Sequence, residues 1–313
     1  MNVSIVLFSP TGNTLKVGQM LRESLRNGGA RVQLLDITRR DDLFPKRAFT
    51  RFVSDNIEPH DVLCIGGPVY AHHMQFNVLD LVRALKRPGP GWGRYAVPFV
   101  TYGTISSGVA LEETARLLDK GGRTPVLAMK IDAHHCYSEI FGTEVNVGMP
   151  GDEARPYVED LSRRILELPT AGETANLATS SDLRYLGRLD RMKAKLLIRE
   201  KLFQRLIYPK VEIRSAGCTG CGLCADVCPI RRMTVHEGTA TVLADGPLCT
   251  HCGSCITACP QDAITFRGDV SKLARMFRRA ADGKGFIASN EAPKSAVYPI
   301  RRTPERAQGS ARR

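Results

Sequence analysis

Two cysteine runs constrain this chain more than any other feature. Cys218, Cys221, Cys224 and Cys228 are followed by Pro229; Cys249, Cys252, Cys255 and Cys259, each 31 residues further on, are followed by Pro260. The spacing C-x2-C-x2-C-x3-C-P therefore occurs twice without a slip. Thiols three residues apart on a tight loop can reach three corners of one small inorganic core. Soft sulfur donors suit iron–sulfur clusters and zinc over hard cations. Structural zinc usually takes two well-separated pairs of ligands per ion. Here the eight cysteines fall in two packed quartets, which favours iron–sulfur over zinc modules or disulfides.

This spacing resembles that of bacterial two-cluster ferredoxins, in which the fourth cysteine of each run serves the other cluster. The resemblance implies one [4Fe-4S] cluster on Cys218, Cys221, Cys224 and Cys259, and a second on Cys249, Cys252, Cys255 and Cys228. Of 10 cysteines only Cys64 and Cys136 remain. That leaves nothing for a disulfide framework and points to a reducing, cytoplasmic setting. The first residues carry no basic segment ahead of a long apolar run, as a secretory signal would. No stretch approaches the roughly 20 apolar residues of a membrane span.

At 313 residues the chain has room for two domains. Its net charge of +12 is uneven: +1 over residues 1–170, +5 over 171–210, −2 over 211–270 and +8 over 271–313. The excess lies on a connector and a tail. Residues 3–8 are a continuous apolar run, as in a strand buried on both faces of a parallel sheet. Alternation follows: strands near 31–37, 61–66, 96–102 and 124–131, and helices near 15–26, 77–87, 108–120 and 153–168. Five strands alternating with helices imply a doubly wound α/β sheet over residues 1–169.

The first strand runs into Ser9-Pro10-Thr11-Gly12-Asn13-Thr14. A helix N-terminus offers unpaired N–H groups that suit a phosphate, and Ser9, Thr11, Asn13 and Thr14 add short polar side chains. An ordinary N-capped helix would use the same residue types. The loop has neither the lysine of a P-loop nor a dinucleotide fingerprint. It resembles the phosphate loop of the flavodoxin family, [ST]-x-T-G-x-T. Two later stretches agree with that resemblance: Pro68-Val69-Tyr70-Ala71 and Thr101-Tyr102-Gly103 stand at strand ends where flavodoxin-like proteins flank the flavin ring. The resemblance implies FMN, with Tyr70 as the first candidate to stack on the ring and Tyr102 as the second. The long segment from Ala133 to Glu153 looks like a stretch found in ferredoxin–flavodoxin fusions, with Cys136 and Met149 departing from its pattern. It makes His135 a candidate for proton handling beside the flavin, or a hydrogen-bonded structural histidine. His72 and His73 follow Tyr70 closely, with solvent as their default surroundings.

Residues 170–210 read as a linker and a basic amphipathic connector, with one helix expected over 183–207. Such a helix suits either packing on its own domains, an acidic partner or peripheral membrane contact. Residues 211–269 form the ferredoxin half, with short strands expected at 211–214, 239–243 and 263–266. Arg231 and Arg232 follow the first motif, as an exposed pair or as a charge beside a cluster. Residues 270–283 suggest a short basic helix, and a disordered tail is expected from about 284. Aromatics are sparse among the basic residues, which argues against nucleic acid.

The chain thus resembles flavodoxin–ferredoxin fusions. The function expected from that resemblance is electron transfer between FMN and two [4Fe-4S] clusters, serving a redox partner protein, acidic by charge complementarity. The alternatives are an FMN-dependent reductase of a small molecule, and a redox sensor or assembly factor.

Overall fold

The computed structural model describes residues 1–40, 43, 48–89, 91–103, 105–169, 183–184, 186–198, 200–285 and 293–300. Five strands, β1 (Asn2–Leu7), β2 (Arg31–Asp36), β3 (Val62–Tyr70), β5 (Tyr95–Tyr102) and β7 (Leu127–Asp132), pair in parallel in the order β2-β1-β3-β5-β7. This is the flavodoxin-like doubly wound order. The continuous apolar run of β1 explains why both faces are covered. Ile5 and Leu7 pack with Val17, Leu21 and Leu25 of α1 (Asn13–Asn27) and with Leu161 and Ile165 of α6 (Arg155–Leu166). Val6 faces the other layer with Leu63 and Ile65, against Val78 and Leu81 of α3 (Phe76–Ala84) and Leu111 and Leu118 of α4 (Ala110–Lys120). A further helix, α2 (Ala48–Asn56), seats Phe49, Phe52 and Val53 in that second layer. The two-residue strands β4 (His73–Met74) and β6 (Thr124–Pro125) pair with β3 and β5.

The expected five-stranded parallel sheet gains a sixth strand from the far end of the chain. β12 (Ala296–Pro299) runs antiparallel to β7, pairing Ala296 with Lys130 and Pro299 with Leu127. This corrects the expectation of a disordered tail for this segment; residues 286–292 and 301–313 lie outside the described residues. The reason is an edge. β7 would otherwise present an unpaired row of backbone groups, and Ala-Val-Tyr-Pro can sit there because edge positions tolerate proline. Tyr298 also shields the fully buried Lys130, whose Nζ lies 6.0 Å from its ring and 5.8 Å from that of Tyr102.

The connector also differs from expectation. Instead of one helix over 183–207 there are two, α7 (Arg188–Leu197) and α8 (Glu200–Leu206). The backbone turns extended at the buried Ile198, because the flavodoxin half takes hold of the chain there. His73 Nε2 meets the carbonyls of Ala194 at 3.0 Å and Ile198 at 2.6 Å, and Nδ1 meets the Glu113 carboxylate at 2.9 Å. His73 is therefore a half-buried clasp, not a solvated or flavin-side histidine. Beside it the buried Glu112 carboxylate accepts from Arg191 at 2.9 Å and Lys195 at 2.6 Å. Burial alone would lift the Glu112 carboxyl, but these two cations outweigh it and hold it below the usual range.

The C-terminal half carries β8 (Val211–Ile213) paired with β11 (Ile264–Phe266), and β9 (Met233–His236) paired with β10 (Thr239–Val242). β9 was not expected. Two one-turn helices, α9 (Leu223–Asp226) and α10 (Ser254–Thr257), each start at a left-handed glycine of a cysteine run. The basic helix α11 (Ser271–Ala281) forms as expected and buries Ala274 and Phe277.

Two predictions follow from these anchors. Burial lowers the His73 imidazole, but Glu113 and the two carbonyls outweigh it, so its pKa stands above the ordinary 6.5. Such a group stabilises fully below the unfolded pKa and loses that contribution as pH rises through its folded value. His73→Ala should therefore cost about 1–2 kcal/mol at pH 6, and the gap from wild type should narrow as pH rises in thermal melts. Second, a chain ending at residue 292 should uncover β7 and Lys130. Its melting temperature should fall by about 4 °C or more in calorimetry.

Candidate functional site

The first loop owes its shape to Ser9 and Gly12. Ser9 Oγ accepts the Leu15 N–H at 2.9 Å, closing the first turn of α1, and Gly12 supplies a left-handed φ of 85° at the helix start. The first-turn amides of Asn13 and Thr14 have no intrahelical acceptor. Thr14 Oγ1 lies 2.7 Å from Thr101 Oγ1, and Asn13 Nδ2 donates to the His134 carbonyl at 3.0 Å. These two bonds draw the first loop, the β5 end and the segment after β7 together, and with Pro68–Ala71 they enclose one cleft of about 80 Å³.

Thr11, Asn13, Pro68, Val69, Tyr70 and Ala71 line that cleft, together with Thr101, Tyr102, Gly103 and His135. Ser9, Gly12 and Thr14 shape the loop from behind. Tyr70 is buried, and its hydroxyl hydrogen-bonds the Cys136 thiol across the cleft. Tyr102 donates its hydroxyl to the Lys294 carbonyl at 2.6 Å, so its ring is held under the C-terminal segment. His135 is half-buried. Burial, with the nearby His134, pushes its pKa down to about 3, so the ring is neutral at physiological pH. Its Nδ1 accepts the Tyr137 N–H at 3.1 Å, and its ring stands 4.5 Å from that of Phe277 on α11. This environment suits a positioning residue. With Nδ1 accepting, the neutral ring carries its remaining proton on Nε2.

Cys136, Tyr137 and Tyr208 also line the cleft. Tyr208 follows the connector helices and stands more than a hundred residues from any other lining residue but those after β7, so no local pattern announces it.

The cysteines separate into the two expected groups. Cys218, Cys221, Cys224 and Cys259 line one small cavity of about 20 Å³. Cys228, Cys249, Cys252 and Cys255 line another of about 450 Å³. Backbone amides already point at sulfur: Ala240 N–H to Cys218 at 3.3 Å, Arg232 N–H to Cys228 at 3.2 Å and His251 N–H to Cys249 at 3.4 Å. Such bonds are among the levers that set cluster potentials. Among the described residues no three His, Cys, Asp or Glu side chains converge as a single metal ion would need; each quartet instead surrounds a space. The quartets differ in exposure. Cys221 is exposed, and amides of Ala240 and Gly220 lower the Cys218 thiol, whereas burial pushes Cys249 up to about 11.

The second quartet abuts the cleft. Ser254 Oγ donates to the Pro10 carbonyl at 3.3 Å. A Cβ on Gly253 would come within 2.5 Å of Ile140 on α5 (Ser138–Phe141), so the cysteine loop touches the segment after β7 through bare backbone. His251, at φ 52°, stacks on Tyr208 with ring centroids 5.3 Å apart and planes 23° apart. Arg231 Nε donates to the Arg39 carbonyl at 3.3 Å and Arg39 N–H to the Pro229 carbonyl at 2.7 Å, while Arg232 donates to the Gly246 carbonyl at 2.8 Å. The arginine pair thus ties loops together.

Residues 217–264 match the model of the 4Fe-4S dicluster domain. The chain joins a flavodoxin-like domain to a 4Fe-4S dicluster domain. Among solved structures it is similar to a rubredoxin oxygen:oxidoreductase from Desulfovibrio gigas, at 18% identity over 53% of this chain and 36% of that one, with a TM-score of 0.38. Flavodoxin 1 from Bacillus cereus aligns at 16% identity over 54% of this chain and all of its own, also with a TM-score of 0.38. The flavodiiron protein from Giardia intestinalis aligns at 17% identity over 52% of this chain and 36% of its own, with a TM-score of 0.33. The chain thus spans about a third of the length of the first and third of these. No curated protein matches the sequence. The fold assignment rests on the strand order of the sheet. Among the described residues no helix is long and apolar enough to cross a membrane.

The two kinds of site should come apart by mutation. Cys221→Ser and Cys252→Ser should each remove about half of the bound iron, roughly four of eight atoms for a two-cluster protein, while flavin is retained. Thr11→Ala with Asn13→Ala should weaken flavin binding and leave iron unchanged. Iron assay and flavin fluorescence on the purified variants check both.

Proposed function

We propose that this protein is an electron-transfer protein holding FMN in the loop cleft and one [4Fe-4S] cluster on each cysteine quartet, and that it serves as redox partner to another oxidoreductase. The observation that carries this reading is the contact of the second quartet's loop with the cleft through Gly253, Ser254 and the Tyr208–His251 stack. FMN takes one or two electrons and a [4Fe-4S] cluster takes one, so together they supply exchange between two-electron and one-electron traffic.

The chain's own residues fit these groups. The α1 N-terminus and the Thr11 and Asn13 side chains would receive the phosphate. The strand-end loops with Tyr70 and Gly103 would take the ring. The cleft as it stands, about 80 Å³, is smaller than the roughly 300–1,000 Å³ usual for such sites. Tyr70 and Cys136 both line that cleft, and the Tyr70 ring is the one proposed to stack on the flavin. Each quartet supplies four sulfurs, and the Ala240, Arg232 and His251 amides orient three of them.

The arrangement gives the relay an order. Residues of the second quartet face the cleft, so Cys136 and Tyr137 feel the charge of Cys252. The first quartet lies outward, with Cys221 exposed. The partner protein would meet the exposed first quartet, and the basic connector and tail would steer an acidic one. The His135 ring, with Nδ1 engaged by the Tyr137 N–H and its face against Phe277, is placed for packing, which favours this reading over a reductase that takes protons through that residue.

The test is intramolecular transfer. After photoreduction of the flavin in the anaerobic holoprotein, the clusters should be reduced within the same molecule, at a rate independent of protein concentration. Tyr208→Leu and His251→Gly should slow that phase with iron and flavin contents unchanged. A concentration-dependent rate, or a phase indifferent to both substitutions, would overturn the proposed order.

A further inference from the structure

The two quartets would take identical groups, and identical groups need equal room. The spaces they line are far from equal: about 20 Å³ at the first and about 450 Å³ at the second. Room for one cluster leaves the second with a surplus in the range of small-molecule pockets, roughly 300–1,000 Å³. The walls of the larger space are apolar, with Ile230, Met233, Val242 and Phe266 contributing. Apolar cavities of this kind hold water poorly and take apolar molecules readily. Its rim is cationic. Arg205 and Lys210 from the connector end and Arg267 after β11 line the same space, and all three are exposed. Arg267 has a carboxylate neighbour, Glu212 at 3.5 Å, while Arg205 and Lys210 form no ion pair among the described residues.

We propose that the surplus space beside Cys228, Cys249, Cys252 and Cys255 is a binding site for a small amphipathic carboxylate, its apolar body against Ile230, Met233, Val242 and Phe266 and its anionic head between Arg205 and Lys210. The inference rests on the reading that this quartet holds a cluster. An apolar body alone would have no use for the basic rim, and a purely polar anion would leave the apolar walls wet. Binding sets an anion beside the second cluster and removes solvent from it, both of which alter cluster potential. Negative charge opposes the uptake of an electron, so occupancy should lower the potential of the second cluster and leave that of the first unchanged.

The probe is octanoate, titrated into the anaerobic holoprotein by calorimetry, with 1-octanol as the uncharged control and the two cluster potentials followed by EPR. Wild type should bind octanoate at one site, and the potential of the second cluster should fall. Met233→Trp, which fills the space, should weaken octanoate by about tenfold or more, equivalent to about 1.4 kcal/mol, with iron content retained. Arg205→Glu with Lys210→Glu should weaken octanoate similarly and leave 1-octanol unaffected. If Met233→Trp sheds iron, Val242→Phe is measured in its place against the same expectation. No octanoate binding to iron-replete wild type, or equal binding by an iron-replete filled variant, overturns the proposal. Octanoate binding by protein that never acquires iron at the second quartet would instead overturn the cluster reading and leave the pocket standing.

Discussion

The contact on which the rest of this structure depends is made by bare backbone. Gly253 sits at φ 80°, and any Cβ there would meet Ile140 at 2.5 Å. A left-handed position at the start of α10 already favours glycine, and the same atom's absence lets the second cysteine loop lie directly on the segment that closes the cleft. From the other side the contact is made by the end of the Ile140 side chain, with the Cys136 carbonyl behind it. The distance between the second quartet and the cleft is therefore fixed by van der Waals contact, and Ser254 holds it with a hydrogen bond to Pro10. A side chain at 253 would carry the left-handed strain and displace the Ile140 side chain.

The two cysteine repeats are equal in spacing and unequal in surroundings, and His251 shows how the difference is made. The first repeat has Gly220 at φ 68°; the second has His251 at φ 52° in the same place. A residue with a Cβ in the left-handed region costs about 1 kcal/mol or more. That cost is offset where the ring has something to do, and here it stacks on Tyr208 and fills the space towards the cleft. The outward repeat keeps its glycine because a Cβ at 220 would meet the Gly238 carbonyl, and it leaves Cys221 exposed. One repeat is thus built to face inward and the other outward, on a common ligand spacing.

Much of this was readable from local pattern. The cysteine spacing, the Ser9–Thr14 loop and the alternation of strand and helix are each written in a few consecutive residues, so the sheet, the two quartets and most of the cleft lining are where the pattern points. What escaped is non-local. Nothing in the run from 183 to 207 says that the helix should stop at Ile198; the cause is His73, more than a hundred residues earlier, claiming the carbonyls. Tyr208 looks like a helix-end aromatic until the fold brings it against His251. The segment at 296–299 has a disordered composition around it, and only the open edge of β7 recruits it.

That last strand alters how the halves are held. The chain leaves the sheet after α6, crosses the connector, forms the dicluster domain and α11, and returns to the same sheet at β12. The dicluster domain is therefore tied at both ends. On one side the tie is His73 and Glu112 gripping α7; on the other it is the β7–β12 ladder with Tyr102 bonded to the Lys294 carbonyl. Glu112 shows that this grip serves geometry as well as energy, because a buried carboxylate and its cations gain little over apolar packing yet accept few alternative arrangements. A domain on a single tether would sample many separations from the cleft. Two tethers leave the Gly253 contact as the arrangement that satisfies both, so the spacing between quartet and cleft is set by the path of the whole chain.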